Sequence, residues 1–214
     1  MLKHALLIGI NYVNTEHALE GPMHDVFKIK NSLVGYDTIV MTDTTEIKPT
    51  KQNIIQQFKQ LLQQPGRLFF YYSGHGIESL GILCADYEIL TQDEFRALLE
   101  YMNPESTLVS IVDTCYSGNL WNLTYHWTHE WTNEWTDSGE PDTPGHVFLI
   151  SSSQDDEVSF ERVISGQISG VFTDAYLKKI KHPQTWRSLM EMTLNQTPEL
   201  STGQPENIDA SYAL

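Results

Sequence analysis

The sequence predicts an α/β fold, a doubly wound and mostly parallel sheet with helices on both faces, on three observations. Short, unbroken apolar or β-branched runs recur along the 214 residues, the pattern of strands buried on both faces. Between them lie stretches whose apolar residues fall on one helical stripe. Capping residues stand where several of those stretches begin. Alternation of this kind specifies strand and crossover helix in turn.

The strand-like runs are residues 5–10, 38–41, 68–72, 107–112 and 147–151. A first helix is expected over residues 25–33. Thr50 is placed to cap a second, in which Ile54, Ile55, Phe58, Leu61 and Leu62 share a face. The third opens on Thr91-Gln92-Asp93-Glu94, the spacing of a capping box, and continues with Phe95, Leu98, Leu99 and Met102 on one stripe. Further helices are expected over 171–180 and 185–194, and a last edge strand over 207–214. Residues 119–146 interrupt the rhythm. Their second half, 137–145, is rich in Asp, Pro and Gly and reads as a surface loop. Their first half repeats Trp127, Trp131 and Trp135, which share one face if the segment is helical, with Glu130 and Glu134 on another; the tryptophans are expected to pack back onto the domain. The chain is therefore read as one domain in two parts sharing one sheet: 1–118, a linker at 119–146, and 147–214.

Composition narrows the function classes. Apolar residues make up 40% of the chain and charged ones 19%, as in ordinary globular proteins. A formal net charge of −15 argues against a nucleic-acid-binding surface and favours basic partners. The two cysteines, Cys84 and Cys115, form no disulfide framework, which fits a reducing compartment. The apolar part of the N-terminus is too short for a signal peptide, and no run approaches the ~20 apolar residues of a membrane span. A cytoplasmic protein without membrane contact is expected.

Two segments carry chemistry. Tyr72-Ser73-Gly74-His75-Gly76 and Asp113-Thr114-Cys115-Tyr116-Ser117-Gly118 each end a strand-like run. In open α/β sheets, ligands bind outside the carboxyl ends of the strands, where His75 and Cys115 would sit. Residues two apart on a strand share a direction, so Ser73 goes with His75 and Asp113 with Cys115. A cysteine needs a base to react near neutral pH, and histidine is the usual one. The amides of Gly76 and Cys115 are placed to stabilise a developing oxyanion. The pattern reads as a cysteine hydrolase. A Cys-dependent phosphatase is excluded, because residues 115–121 offer no arginine to hold phosphate.

These segments resemble the metacaspases, caspase-like cysteine peptidases. Ala5-Leu6-Leu7-Ile8-Gly9-Ile10-Asn11-Tyr12 is similar to the family's first strand, and Leu19-Glu20-Gly21-Pro22-Met23-His24-Asp25-Val26 to its Gly-Cys-x-x-Asp-Ala segment. The second chemical segment is similar to Asp-Ser-Cys-His-Ser-Gly, with Thr114 and Tyr116 substituted. Residues 151–159, Gly170-Val171-Phe172-Thr173 and Gln196-Thr197-Pro198-Glu199-Leu200-Ser201 resemble segments of the family's smaller part. The resemblance implies a three-layer α/β/α sandwich on a mostly parallel six-stranded sheet, with His75 as base and Cys115 as nucleophile. It implies a pocket for Arg or Lys built from Asp25, Ser73 and Asp113, hence protein or peptide substrates with basic residues. A cationic side chain entering a desolvated pocket needs carboxylates, and residues 97–161 contain no Lys or Arg that would suit an acidic one.

The resemblance also implies an activating calcium ion. Asp93 and Glu94 fall where two ligands are expected, Asp86 is a candidate third, and Asn119 or Asn122 stands near the fourth position. Many relatives cut themselves in the linker after a basic residue; this linker has none, so an uncut enzyme is expected, and the resemblance implies a monomer. The competing reading is a silent relative that binds partners through the Trp segment or the acidic cleft.

Overall fold

The computed structural model describes residues 1–127, 135–154, 159–164, 166–192, 194 and 197–212. In chain order the elements are β1 (Lys3–Gly9), α1 (Pro22–Ser32), β2 (Asp37–Thr42), α2 (Lys51–Leu62), β3 (Arg67–Ser73), β4 (Gly76–Ile77), β5 (Gly81–Leu83), β6 (Ile89–Thr91), α3 (Gln92–Leu99) and β7 (Thr107–Asp113). They continue with β8 (Tyr125–Trp127), β9 (Trp135–Asp137), β10 (His146–Ser151), β11 (Glu161–Ile164), β12 (Gln167–Gly170), α4 (Val171–Lys179), β13 (Gln184–Thr185), α5 (Trp186–Met190), β14 (Glu199–Thr202) and β15 (Ser211–Tyr212).

The five expected strand runs are β1, β2, β3, β7 and β10, and they form one parallel array in the order β2-β1-β3-β7-β10. Antiparallel β14, β8 and β9 extend it to eight strands, two more than expected. Alternation along the strands sorts their side chains into two cores. Leu68, Phe70 and Tyr72 of β3 join Ile54, Phe58, Phe95 and Leu99 from α2 and α3 on one face. Phe69 and Tyr71 join Val26, Ile29, Phe172 and Tyr176 from α1 and α4, with Trp186 of α5, on the other. The result is the three-layer α/β/α sandwich, with β1, β3, β7 and β10 buried from both sides and β2 a partly exposed edge.

The caps act as their residue types require. The Thr50 side chain accepts from Asn53 N, and Thr91 with Glu94 closes a full capping box on α3. Helix α1 starts before Asp25, with Pro22 in its first turn, where a missing N–H costs nothing.

Three expectations are corrected. Trp127 and Trp135 are strand residues, paired across the antiparallel β8–β9 ladder, not one face of a helix. Residues 127, 131 and 135 are an even number apart, so a strand also places them on one face; Trp131 lies outside the described residues. Trp127 is buried in the α1/α4-side core and Trp135 packs against it. The linker thus supplies two strands of the sheet. The terminal strand is not an edge of that sheet, since β15 pairs with β13 in a separate two-stranded ladder. The helix expected over 185–194 is the short α5.

Candidate active site

The ladder between β3 and β7 sets Ser73 opposite Asp113 in register, so the two chemical segments leave the sheet side by side. His75 and Cys115 line one cavity there, together with Ser73, Gly74, Asp113 and Ser159. The two loops touch at Gly76. A Cβ on that residue would collide with the Cys115 carbonyl oxygen and stand 2.9 Å from Thr114 Oγ1, so only glycine lets them close.

The imidazole is fixed by its surroundings. His75 Nε2 donates to the carbonyl of His17 at 2.7 Å. That bond sets the neutral tautomer and leaves Nδ1 as the nitrogen able to accept a proton. The sulfur of Cys115 lies 3.3 Å from the backbone N–H of Ser159, which donates to it, and 3.8 Å from the Ser159 carbonyl. Burial pushes the thiol up, the Ser159 N–H offsets part of this, and the Asp113 carboxylate adds to the rise. The resting group is therefore a thiol, and its proton must be taken by a base as it reacts. Tyr116, directly after it, holds a left-handed backbone at φ +55°, the kind of outlier that collects at reactive corners. Cys84 is also a free thiol but is buried, with burial pushing it up to about 12, and it reacts with nothing here.

Alternation on β3 and β7 turns Ser73 and Asp113 toward α1 and α4. Asp113 accepts from Thr173 N at 3.1 Å, Thr173 Oγ1 at 2.6 Å and Ser159 Oγ at 2.7 Å. Asp25 accepts from Gly170 N at 2.7 Å and from Ser169 Oγ, with Lys28 Nζ at 3.7 Å. Both carboxylates close on Gly170, where a Cβ would collide with Asp113 Oδ2 and stand 3.1 Å from Asp25 Oδ2. Asp113 is on the cavity wall, and Asp25 stands behind it, fully buried. Burial and the charge of Asp113 raise Asp25 to about 7, and burial raises Asp113 as well. Ionising both carboxylates in this buried place is therefore disfavoured.

A caspase domain model matches residues 2–208 of this sequence. The chain belongs to the caspase-domain family. Among similar proteins, Metacaspase-6 of Arabidopsis thaliana is 34% identical over an alignment covering 67% of this chain and 45% of that protein. Metacaspase-1 of Plasmodium falciparum is 33% identical, over 88% of this chain and 36% of that protein. The chain spans less than half the length of these two relatives. The crystal structure of a Geobacter sulfurreducens protein superposes with a TM-score of 0.72 at 19% identity, covering 98% of this chain and 97% of that one, and shares the fold.

For this caspase-domain chain, the acidic residues expected to hold calcium do not assemble a site. Both oxygens of Asp86 accept from Lys51 N, at 3.1 and 3.2 Å. Glu94 closes the capping box with one oxygen and pairs with Lys51 Nζ at 2.7 Å through the other. Asp93 accepts from Asn122 Nδ2 at 3.2 Å. Calcium asks for six to eight oxygens and several charges, and among the described residues no three His, Cys, Asp or Glu side chains are grouped to hold a metal. As placed, these carboxylates are engaged with protein partners rather than gathered around one point.

Several residues at the cleft had no role in the sequence reading. Ser159 and Thr173 fall inside segments quoted for the resemblance, yet nothing local marks them as partners of Cys115 or Asp113, 44 and 60 residues away. Glu161, whose side chain accepts from Gly21 N, and the carbonyl of His17 carried no signal at all.

Proposed function

We propose that this chain is a cysteine endopeptidase that cleaves peptide bonds after Arg or Lys, working as an uncut monomer in the cytoplasm. The observation that carries the reading is that His75, Cys115 and Asp113 line a single cavity. His75 Nδ1 takes the thiol proton as Cys115 Sγ attacks the scissile carbonyl carbon. The carbonyl oxygen becomes an anion, met by the amides of Gly76 and Cys115. When the tetrahedral adduct collapses, the C–N bond breaks and the imidazolium gives its proton to the leaving amine. A thioester remains. Water, deprotonated by the same imidazole, then adds to it and expels the thiol.

The side chain before the cut bond enters beside Asp113, with Ser73 on the wall and the charge of Asp25 behind. A guanidinium or ammonium there adds a cation beside the buried carboxylate pair and favours its ionised form. Ser159 Oγ, which donates to Asp113 at rest, gives way to it. Protein or peptide substrates with basic residues follow from this pocket. The competing reading of a silent binder gains nothing from Trp127, which is buried, or from Trp135, which packs onto the same core.

Fluorogenic peptides with Arg, Lys or Asp before the leaving group test the proposal on wild type, Cys115→Ala and His75→Ala. We expect turnover of the Arg and Lys peptides only, falling by about a thousandfold or more in either variant. Turnover that survives Cys115→Ala, or a preference for the Asp peptide, sinks it.

A further inference from the structure

We propose that Tyr12 and Tyr72 are positioning residues for His75: their hydroxyls grip its backbone at both the N–H and the C=O and thereby set where the imidazole stands in the cleft. His75 N donates to Tyr12 Oη at 3.1 Å. Tyr72 Oη donates to His75 O at 2.9 Å. The two phenol oxygens are 3.1 Å apart, and Tyr12 Oη also lies 2.6 Å from Leu83 O.

Counting protons makes the arrangement directional. A phenol has one proton to give and lone pairs to receive. Tyr12 spends its proton on the Leu83 carbonyl, which leaves its oxygen to accept from the His75 amide. Tyr72 Oη lies 2.9 Å from the His75 carbonyl and 3.1 Å from that of Leu83, and gives its own proton to the nearer, which also accepts from Leu83 N at 3.0 Å. Burial raises both phenols above their ordinary value, so they stay neutral and these roles hold across the working pH range.

Packing alone does not explain tyrosine at either place. Tyr72 is fully buried and Tyr12 is 3% exposed, where phenylalanine would fill the same core without a hydroxyl to satisfy. The backbone bends to reach this contact. Tyr12 adopts φ +50°, rare for a side chain other than glycine. Gly74 leaves room for Tyr72 Oη, which would stand 2.6 Å from a Cβ added there. The Tyr12 ring also packs on the imidazole, with centroids 4.8 Å apart. Residues 12–17 thus hold His75 at its backbone N through Tyr12 and at its ring Nε2 through the His17 carbonyl, and Tyr72 completes the grip from β3.

The inference rests on the Cys/His chemistry proposed above, and two readouts on Tyr12→Phe, Tyr72→Phe and His75→Ala separate them. One is kcat and KM on an Arg peptide. The other is the pH profile of Cys115 alkylation by iodoacetamide, which needs no substrate. If wild type shows no Cys115-dependent turnover, the peptidase reading fails while the alkylation profile still judges the tyrosines.

A misplaced base costs rate rather than affinity. Both Phe variants are expected to keep the wild-type melting temperature within a few degrees and KM within about twofold, to lose about tenfold to a hundredfold in kcat, and to shift their alkylation profiles toward that of His75→Ala. Wild-type kcat and alkylation profile in both variants overturn the proposal. So does a fall in kcat that tracks loss of folded protein while the profile of the folded fraction is unmoved.

Discussion

Asp25 shows how one residue sets function against stability. It is fully buried, its pKa is raised to about 7 by burial and by Asp113, and its ordinary value lies near 4. A folded-state pKa above the unfolded one means that the folded chain holds the proton more tightly. The resulting stabilisation is complete in acid and is lost as pH rises from about 4 to about 7. A tenfold difference in proton affinity is worth about 1.4 kcal/mol, so the wild type gives up on the order of a few kcal/mol between those limits. Asparagine at this position cannot ionise and escapes the loss. The melting temperature of Asp25→Asn relative to wild type should therefore rise between about pH 5 and about pH 8. The same substitution should raise KM for an Arg peptide by about tenfold at the higher pH, because in the proposed pocket the ionised pair receives the cation. A melting-temperature difference that is flat or falls with pH would mean that Asp25 is an ordinary ionised carboxylate in the folded state.

At the scale of elements, the N-termini of α2 and α3 carry or engage the residues expected to hold calcium. Lys51, at the start of α2, reaches Glu94 through its ammonium and Asp86 through its backbone N–H. A half-exposed pair of this kind is worth under about 1 kcal/mol and would yield to a well-built divalent site. The deciding fact is the donor count. Asp93 faces the amide nitrogen of Asn122, and an amide at that place brings no charge to a cation that needs several. Turnover of an Arg peptide in excess EGTA should stay within about twofold of that in millimolar calcium; a tenfold or greater dependence would overturn the reading of this corner. The same region shows what sequence patterns carry. Thr50 and Thr91 announced their helices because a cap is a local event, written within four residues. The parallel strands were legible because burial on both faces leaves an unbroken apolar run. The hairpin of β11 and β12 is half exposed, and β14 is set by its antiparallel partner β10 some fifty residues away, so neither leaves such a run. The Trp repeat misled because its spacing fits both the helical period and the strand period.

For the whole molecule, the cleft was legible only in part for a related reason. His75 and Cys115 stand at the ends of neighbouring strands, and strand ends can be read locally. The far wall, Ser159, Gly170 and Thr173, comes from the chain beyond β10 and meets Asp113 only once the sheet is complete. That dependence makes the connection between the two halves consequential. The connecting residues contain no Lys or Arg, and neither does any position from 97 to 161. Their described parts are tied down as well, since β8 pairs with β14 and β9 pairs with β8. The flanking basic residues are poor targets for the proposed cut after Arg or Lys. Arg96 lies in α3, donating to the Pro141 carbonyl at 2.6 Å, and Arg162 is paired to Ser169 within the β11–β12 ladder. An extended substrate would require either element to open first, at the cost of its hydrogen bonds and packing. Wild-type enzyme incubated at high concentration should therefore turn over an Arg peptide while its full-length band persists on a denaturing gel and its intact mass is unchanged. Activity that appears only as that band is lost, through a cut between residues 119 and 146, would show that the sheet must be severed there before the cleft can work.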